Sequence, residues 1–201
     1  MKLVLATRNQ GKVRELTEML RVEEDTKQQI EVISLDSYPD APEVVEDGKT
    51  YTENAAKKAS VIAEHTSQLT LADDAGLEVD ALNGAPGVNS KRWAGEDATD
   101  AIRIEKLLQA LEGVTDRRAR FVAVIAVVHP DSAPETVLGV CEGHIRHAPV
   151  GESGFGYDPV FVPDGYDQTF AELGEKIKNQ ISHRAKALEQ AIVLLHRYSL
   201  E

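Results

Sequence analysis

The residues Thr7-Arg8-Asn9-Gln10-Gly11-Lys12 lie between a short apolar run and a helical pattern, a placement that suits anion binding. Where a strand runs through a loop into a helix, unpaired amides and the positive end of the helix dipole favour phosphate, and Lys12 adds a full charge. This is not a P-loop. The G-x-x-x-x-G-K-[ST] spacing is missing, and Val13 stands where a magnesium-binding hydroxyl would be. An ordinary polar turn remains the competing reading. Asp73 and Asp74 follow the apolar residues 69–72, a poor place for two like charges unless a metal or an ammonium group compensates them. Beside a phosphate-type loop, hard oxygen donors point to Mg²⁺, which takes one or two carboxylates plus water and phosphate oxygens. Glu46 and Glu53 are candidate further ligands, and a solvated Asp74-Ala75-Gly76 turn is the alternative.

Two more clusters lie toward the C-terminus. Residues 151–159 combine three glycines, which let a ligand approach the backbone, with Phe155 and Tyr157, whose rings could face a nucleotide base. The spacing is not that of a Rossmann fingerprint, and a simple tight turn would look similar. Lys176, Lys178, His183 and Arg184 place cationic groups just before and at an expected helix start, where the helix dipole opposes them. That cost suggests an anionic or carbonyl partner, although a lone histidine there also reads as a structural or solvated residue.

The elements that must carry these clusters alternate. Residues 2–6 read as a buried strand, Val13, Leu16 and Leu20 as one helical face, and residues 30–35 as a second strand. A Pro- and acid-rich loop through Glu46 follows, then a helix capped by Thr52 with a small face of Ala55, Ala56, Ala59 and Ala63. Residues 69–72 read as a strand ending at the acidic pair, and residues 77–82 as a half-buried strand. A loop over residues 83–95 leads to a helix marked by Ile104, Leu107, Leu108 and Leu111. Residues 121–128 and 136–145 form the longest strand candidates, joined closely enough for a hairpin. Strand character returns at residues 160–162, and Ser182 can cap a last helix striped by Leu188, Ile192 and Leu195. This alternation predicts an α/β domain with a mixed sheet.

At 201 residues, 42% of them hydrophobic and 28% charged, the chain is long enough for one sizeable core and too apolar for disorder. Its longest apolar run, residues 121–128, is too short to span a bilayer, and residues 3–6 are too short for a signal-peptide core. A cytoplasmic protein is expected. The lone Cys141 cannot form an intrachain disulfide and reads as a small buried strand residue. A net charge of −12 opposes binding to nucleic-acid polymers, yet a small anion can still bind where cations or a metal concentrate locally.

Taken together, five blocks in order carry more information than any one of them: ATRNQGKVREL, VVEDGKTYTENAAKKA, LADDAGLEVDALNGAPGVNSKRWAG, GFGYDPVFVP and ISHRAKAL. Nearly end to end, the chain resembles the inosine triphosphate pyrophosphatase family, enzymes that hydrolyse nonstandard purine nucleoside triphosphates such as ITP, dITP and XTP to the monophosphate and pyrophosphate. The resemblance implies the ITPase-like fold, an elongated mixed β-sheet flanked by helices, as a single domain with its active-site cleft between two lobes, and a homodimer. It implies that Thr7, Arg8, Asn9, Gln10, Gly11 and Lys12 meet the triphosphate together with Lys58. Glu46 and Asp74 would bind Mg²⁺, Asp74 also positioning or deprotonating the attacking water. Phe155 would stack on the purine, Gly156, Tyr157 and Asp158 would line its pocket, and Lys178, His183 and Arg184 would meet the 6-oxo edge. Ala75 departs from the Ser or Thr usual after the acidic pair, so a hydroxyl contact with substrate is missing there. A related pyrimidine-type pyrophosphatase would show a serine-rich first loop, unlike residues 7–12. A nucleotide-binding regulator without catalysis is the alternative from another class.

Overall fold

In the computed structural model, residues 1–23 and 30–198 are described. The chain divides into two compact units. The first comprises Met1–Asp74, Ala123–Gly139 and Ala185–Glu201, the second Ala75–Val122 and Val140–Arg184. Among the described residues a six-stranded sheet has the order β2 (Glu31–Ser34), β1 (Lys2–Leu5), β3 (Thr70–Val79), β4 (Arg118–Val128), β5 (Glu135–Ile145), β6 (Phe161–Pro163). The unit boundaries fall inside β3 (Thr70–Val79), β4 (Arg118–Val128) and β5 (Glu135–Ile145).

In the first unit β1 (Lys2–Leu5) is parallel to β2 (Glu31–Ser34) on one side and to β3 on the other. A strand flanked on both sides in a parallel sheet has both faces covered, which explains why Leu3, Val4 and Leu5 are all fully buried. Helix α1 (Gln10–Glu23) buries Leu16, Met19 and Leu20. Its first turn includes Gln10, Gly11 and Lys12, so the connecting loop is shorter than the sequence suggests. Helix α2 (Tyr51–Thr66) is capped by Thr50, not Thr52. Only Thr50 has a glutamate at the third helical position. Its hydroxyl accepts from Glu53 N at 3.1 Å while the Glu53 carboxylate accepts from Thr50 N at 3.3 Å, closing a capping box. Ala55, Ala59, Ile62 and Ala63 form the buried face of α2.

In the second unit Leu77, Val79, Ile104, Leu107, Phe121, Phe161 and Phe170 belong to one core, together with Cys141, which is buried in β5 as expected. Helix α3 (Asp100–Ala110) is capped by Thr99. Strand β6 (Phe161–Pro163) runs antiparallel to β5, making the sheet mixed. Gly143 on β5 allows that pairing, since a Cβ there would come within 2.2 Å of the Val162 carbonyl oxygen. Helix α4 (Phe170–Ile181) is absent from the sequence reading. Gly174, at φ 77°, breaks its helical backbone and obscures the periodicity, whereas the Thr169/Glu172 capping box is a signal that could have marked its start. Helix α5 (His183–Tyr198) then returns to the first unit, burying Leu188, Ile192 and Leu195 as expected. Among the described residues, no helix is long and apolar enough to cross a membrane.

Candidate functional site

The acidic pair lies within β3, not at a strand end. The structure overturns the solvated-turn reading: Asp73 is 1% exposed and Asp74 4%. The strand continues through two carboxylates because ammonium groups take the place of water. Lys12 Nζ, carried by the first turn of α1, is 3.1 Å from Asp73 Oδ1. Lys58 Nζ reaches in from α2, donating to the Asp73 carbonyl at 2.6 Å and to Glu46 Oε1 at 2.9 Å, and lies 3.9 Å from Asp74 Oδ1. Burial pushes the Asp74 carboxyl above its ordinary range, against the pull of Lys58, Lys12 and the Asn54 amide. Asp74 is thereby a stronger base than an exposed aspartate.

Asn54 is a member of this cluster that sequence reasoning missed. Its Nδ2 donates to Asp74 Oδ2 at 3.0 Å, and its Oδ1 accepts from Gly48 N at 2.8 Å, so one buried amide holds both the catalytic candidate and the loop that carries Glu46. The spacing of Asn54 and Lys58, four apart on one helical face, is the signal that could have found it. Glu53, in contrast, is not brought to the acidic pair as a further ligand. Its carboxylate accepts from Lys49 N at 2.6 Å and completes the cap of α2.

Glu46 and Asp74 converge on one position now marked by the Lys58 ammonium, which tests their fitness for a divalent cation. Two hard carboxylates around a cationic centre suit Mg²⁺, with water and phosphate oxygens filling the remaining positions. Among the described residues, no three His, Cys, Asp or Glu side chains are grouped to hold a metal by themselves. Around the first loop, Thr7 Oγ1 accepts from Asn9 N at 3.2 Å and Asn9 Oδ1 from Lys12 N at 3.1 Å, bonds that organise the start of α1. Arg8 donates to the Ala41 carbonyl at 3.1 Å, and Gln10 is exposed. Ala75, on β3, belongs to the second unit.

The second unit gathers Phe155, Gly156, Asp158, Lys178, His183 and Arg184. Asp158 Oδ2 accepts from Lys178 Nζ at 2.6 Å and from Phe155 N at 2.9 Å, and both charged side chains are at least 97% buried. Gly154, at φ 80°, permits this turn, because a Cβ would come within 2.1 Å of Asp158 Oδ2. Lys178 Nζ lies 4.5 Å from the centre of the Phe155 ring and the Arg184 guanidinium carbon 5.7 Å from it, both in cation–π range. His183 stacks on Phe121 at 4.7 Å. The four cations do not all face the opposing end of one helix dipole. Lys178 sits in the last turn of α4, where the dipole favours it, Lys176 is exposed, and only His183 and Arg184 open α5. Nor does Tyr157 offer its ring as a second aromatic face. It is buried in the core with its hydroxyl donating to the Ser90 carbonyl at 2.9 Å, and burial pushes that phenol upward, keeping it a donor.

Fold and site together define an α/β protein with a carboxylate pair on β3 met by ammonium groups from α1 and α2, and with buried cations around an aromatic loop in its other unit. The Ham1 family matches residues 3–193, and the chain belongs to that family. A protein of Desulforamulus reducens named dITP/XTP pyrophosphatase is 52% identical over 98% of this chain and 96% of its own. Its namesake from Geobacillus kaustophilus is 49% identical over 93% and 90%. Among solved structures, a HAM1 protein from Coxiella burnetii superposes with a TM-score of 0.87 at 44% identity, covering 98% of this chain and 99% of that one. The Staphylococcus aureus Ham1 protein gives 0.85 at 39% identity, with 98% and 100% covered.

Proposed function

We propose that this chain hydrolyses nonstandard purine nucleoside triphosphates, dITP, ITP and XTP, to the monophosphate and pyrophosphate with Mg²⁺, removing them from the nucleotide pool. The observation that carries the proposal is the buried Asp73–Asp74 pair flanked by Lys12 and Lys58, in a chain about half identical to proteins named dITP/XTP pyrophosphatase. Water forms a bond to the α-phosphorus as the bond to the bridging oxygen breaks and pyrophosphate leaves. Asp74, oriented by Asn54, holds that water and takes its proton. Lys12 and Lys58 balance the charge growing on the leaving group, assisted by the amides that open α1. Mg²⁺, held by Glu46 and Asp74, would supply further positive charge to the phosphate oxygens and lower the pKa of water.

The base falls to the loop at Phe155 and its buried cations. A 6-oxo purine presents an acceptor to Lys178, His183 and Arg184, whereas adenine presents an amino donor and leaves buried donors unmatched. Turnover of dITP, ITP, ATP and GTP, followed by chromatography with and without chelator in water enriched in ¹⁸O, tests the reading. Label in the monophosphate, loss of turnover on chelation and slow ATP turnover are expected. Release of orthophosphate with a diphosphate, or equal use of ATP, overturns it. Lys12→Ala should lower kcat/KM for dITP by about tenfold or more, as one charged contact to the leaving group is lost. An unchanged value would remove the α1 start from the site. The family resemblance also carries a homodimer into the proposal, which sedimentation velocity checks.

A further inference from the structure

We infer that Asp100 is a positioning residue for base recognition, acting through the backbone of the loop that carries Phe155. The inference rests on the proposed function and deepens it. Asp100, the first residue of α3, is 56 positions away in sequence from Gly156, yet its Oδ2 accepts from Gly156 N at 2.7 Å. Gly156 is in the left-handed region at φ 65°, where no helix or strand supplies that amide with a partner. Asp100 therefore holds a conformation that the loop does not secure by regular structure.

Asp100 is itself oriented. Arg103 Nη1 donates to its other carboxylate oxygen, and Arg103 Nε donates to the carbonyl of Lys91. Lys91 lies in the 3-10 turn Gly87–Arg92, whose Ser90 carbonyl also receives the Tyr157 hydroxyl. Ser90 Oγ in turn accepts from Leu77 N of β3 at 2.8 Å. One turn thus grips the aromatic loop twice, directly at Tyr157 and through Arg103 and Asp100 at Gly156. Between those grips and the Asp158 carboxylate that accepts from Phe155 N, the backbone on both sides of the Phe155 ring is held. The Asp100 side chain is 44% exposed, and its two carboxylate oxygens are taken by Arg103 and by the Gly156 amide, so its effect is on where the ring stands.

Asp100→Ala removes the acceptor, and Asp100→Asn keeps a neutral one. Amide exchange of the segment 151–158, read by mass spectrometry, should quicken in Asp100→Ala and less so in Asp100→Asn. With dITP, Asp100→Ala should raise KM and the inhibition constant of IMP about fivefold, equivalent to about 1 kcal/mol, with kcat within about twofold and Asp100→Asn between. Inhibition by pyrophosphate, which lacks a base, should stay at the parental value, whereas a general structural loss would weaken both inhibitors. Parental exchange rates in Asp100→Ala, or equal weakening of IMP and pyrophosphate, overturn the inference. If the parent neither turns over dITP nor binds IMP by calorimetry, the proposed function fails instead, and the exchange rates still decide whether Asp100 holds the loop.

Discussion

Replacing Asp74 with Asn should reduce turnover of dITP by about 10²-fold or more while the protein remains folded. The amide is isosteric, yet it cannot accept the proton of the attacking water, and it removes a negative charge from the position where Glu46 and Lys58 meet. KM should change less than kcat, since the lost interaction belongs to the transition state. Near-parental kcat would exclude Asp74 from the chemistry. Thermal unfolding in chelator provides a second reading. Because burial raises the Asp74 carboxyl above its unfolded value, the folded chain binds that proton more tightly than the unfolded one. Its contribution to stability is therefore full below the unfolded value and is lost as pH rises through the folded value. Relieving the buried charge should leave the metal-free Asp74→Asn protein with a Tm at or above that of the parent once the pH exceeds the folded value, whereas a lower Tm there would mean that the carboxylate is needed for folding.

The Asp158→Ala protein should lose about 3 kcal/mol of stability, or about 6–12 °C in Tm for a chain of this size, because the carboxylate holding a buried ammonium is gone. Lys178 is 2% exposed and donates to Asp158 at 2.6 Å, and the same oxygen accepts from Phe155 N. The substitution therefore strikes the stability of the second unit and the aromatic loop together. Asp158→Asn, which retains an acceptor but not the charge, should fall between. Chemical denaturation measures the first effect and the inhibition constant of IMP the second. A loss below about 1 kcal/mol would mark Lys178 as readily accommodated without Asp158, as an exposed ion pair would be.

Much of the site was legible because its chemistry is written in local spacing. Lys12 and Asp74 stand out in the sequence as part of a loop before a helix and of an acidic pair after an apolar run, and both lie in the first unit's cluster. Asn54 was invisible for the opposite reason. A polar residue on a helix face signals nothing until the fold shows that its amide is buried between Asp74 and Gly48. Glu53 resembles a ligand candidate in sequence because capping and metal binding draw on the same residue type, and only the geometry at Thr50 separates them. Helix α4 is illegible in the sequence because Gly174 interrupts its period, and with it the position of Lys178 at a favourable helix end.

By itself the sequence determined the class of fold, the α/β alternation with a mixed sheet, and which residue types could meet phosphate, a cation and a base, since hydrophobic period and charge spacing are local properties of the chain. Tertiary structure alone decided how the charges pair: Lys58 with Glu46 and the Asp73 carbonyl, Lys178 with Asp158, Asp100 with Gly156. Those partners lie 12 to 56 residues apart. Whether a buried charge is compensated depends on what packing brings within hydrogen-bond reach, and no local pattern encodes that distance.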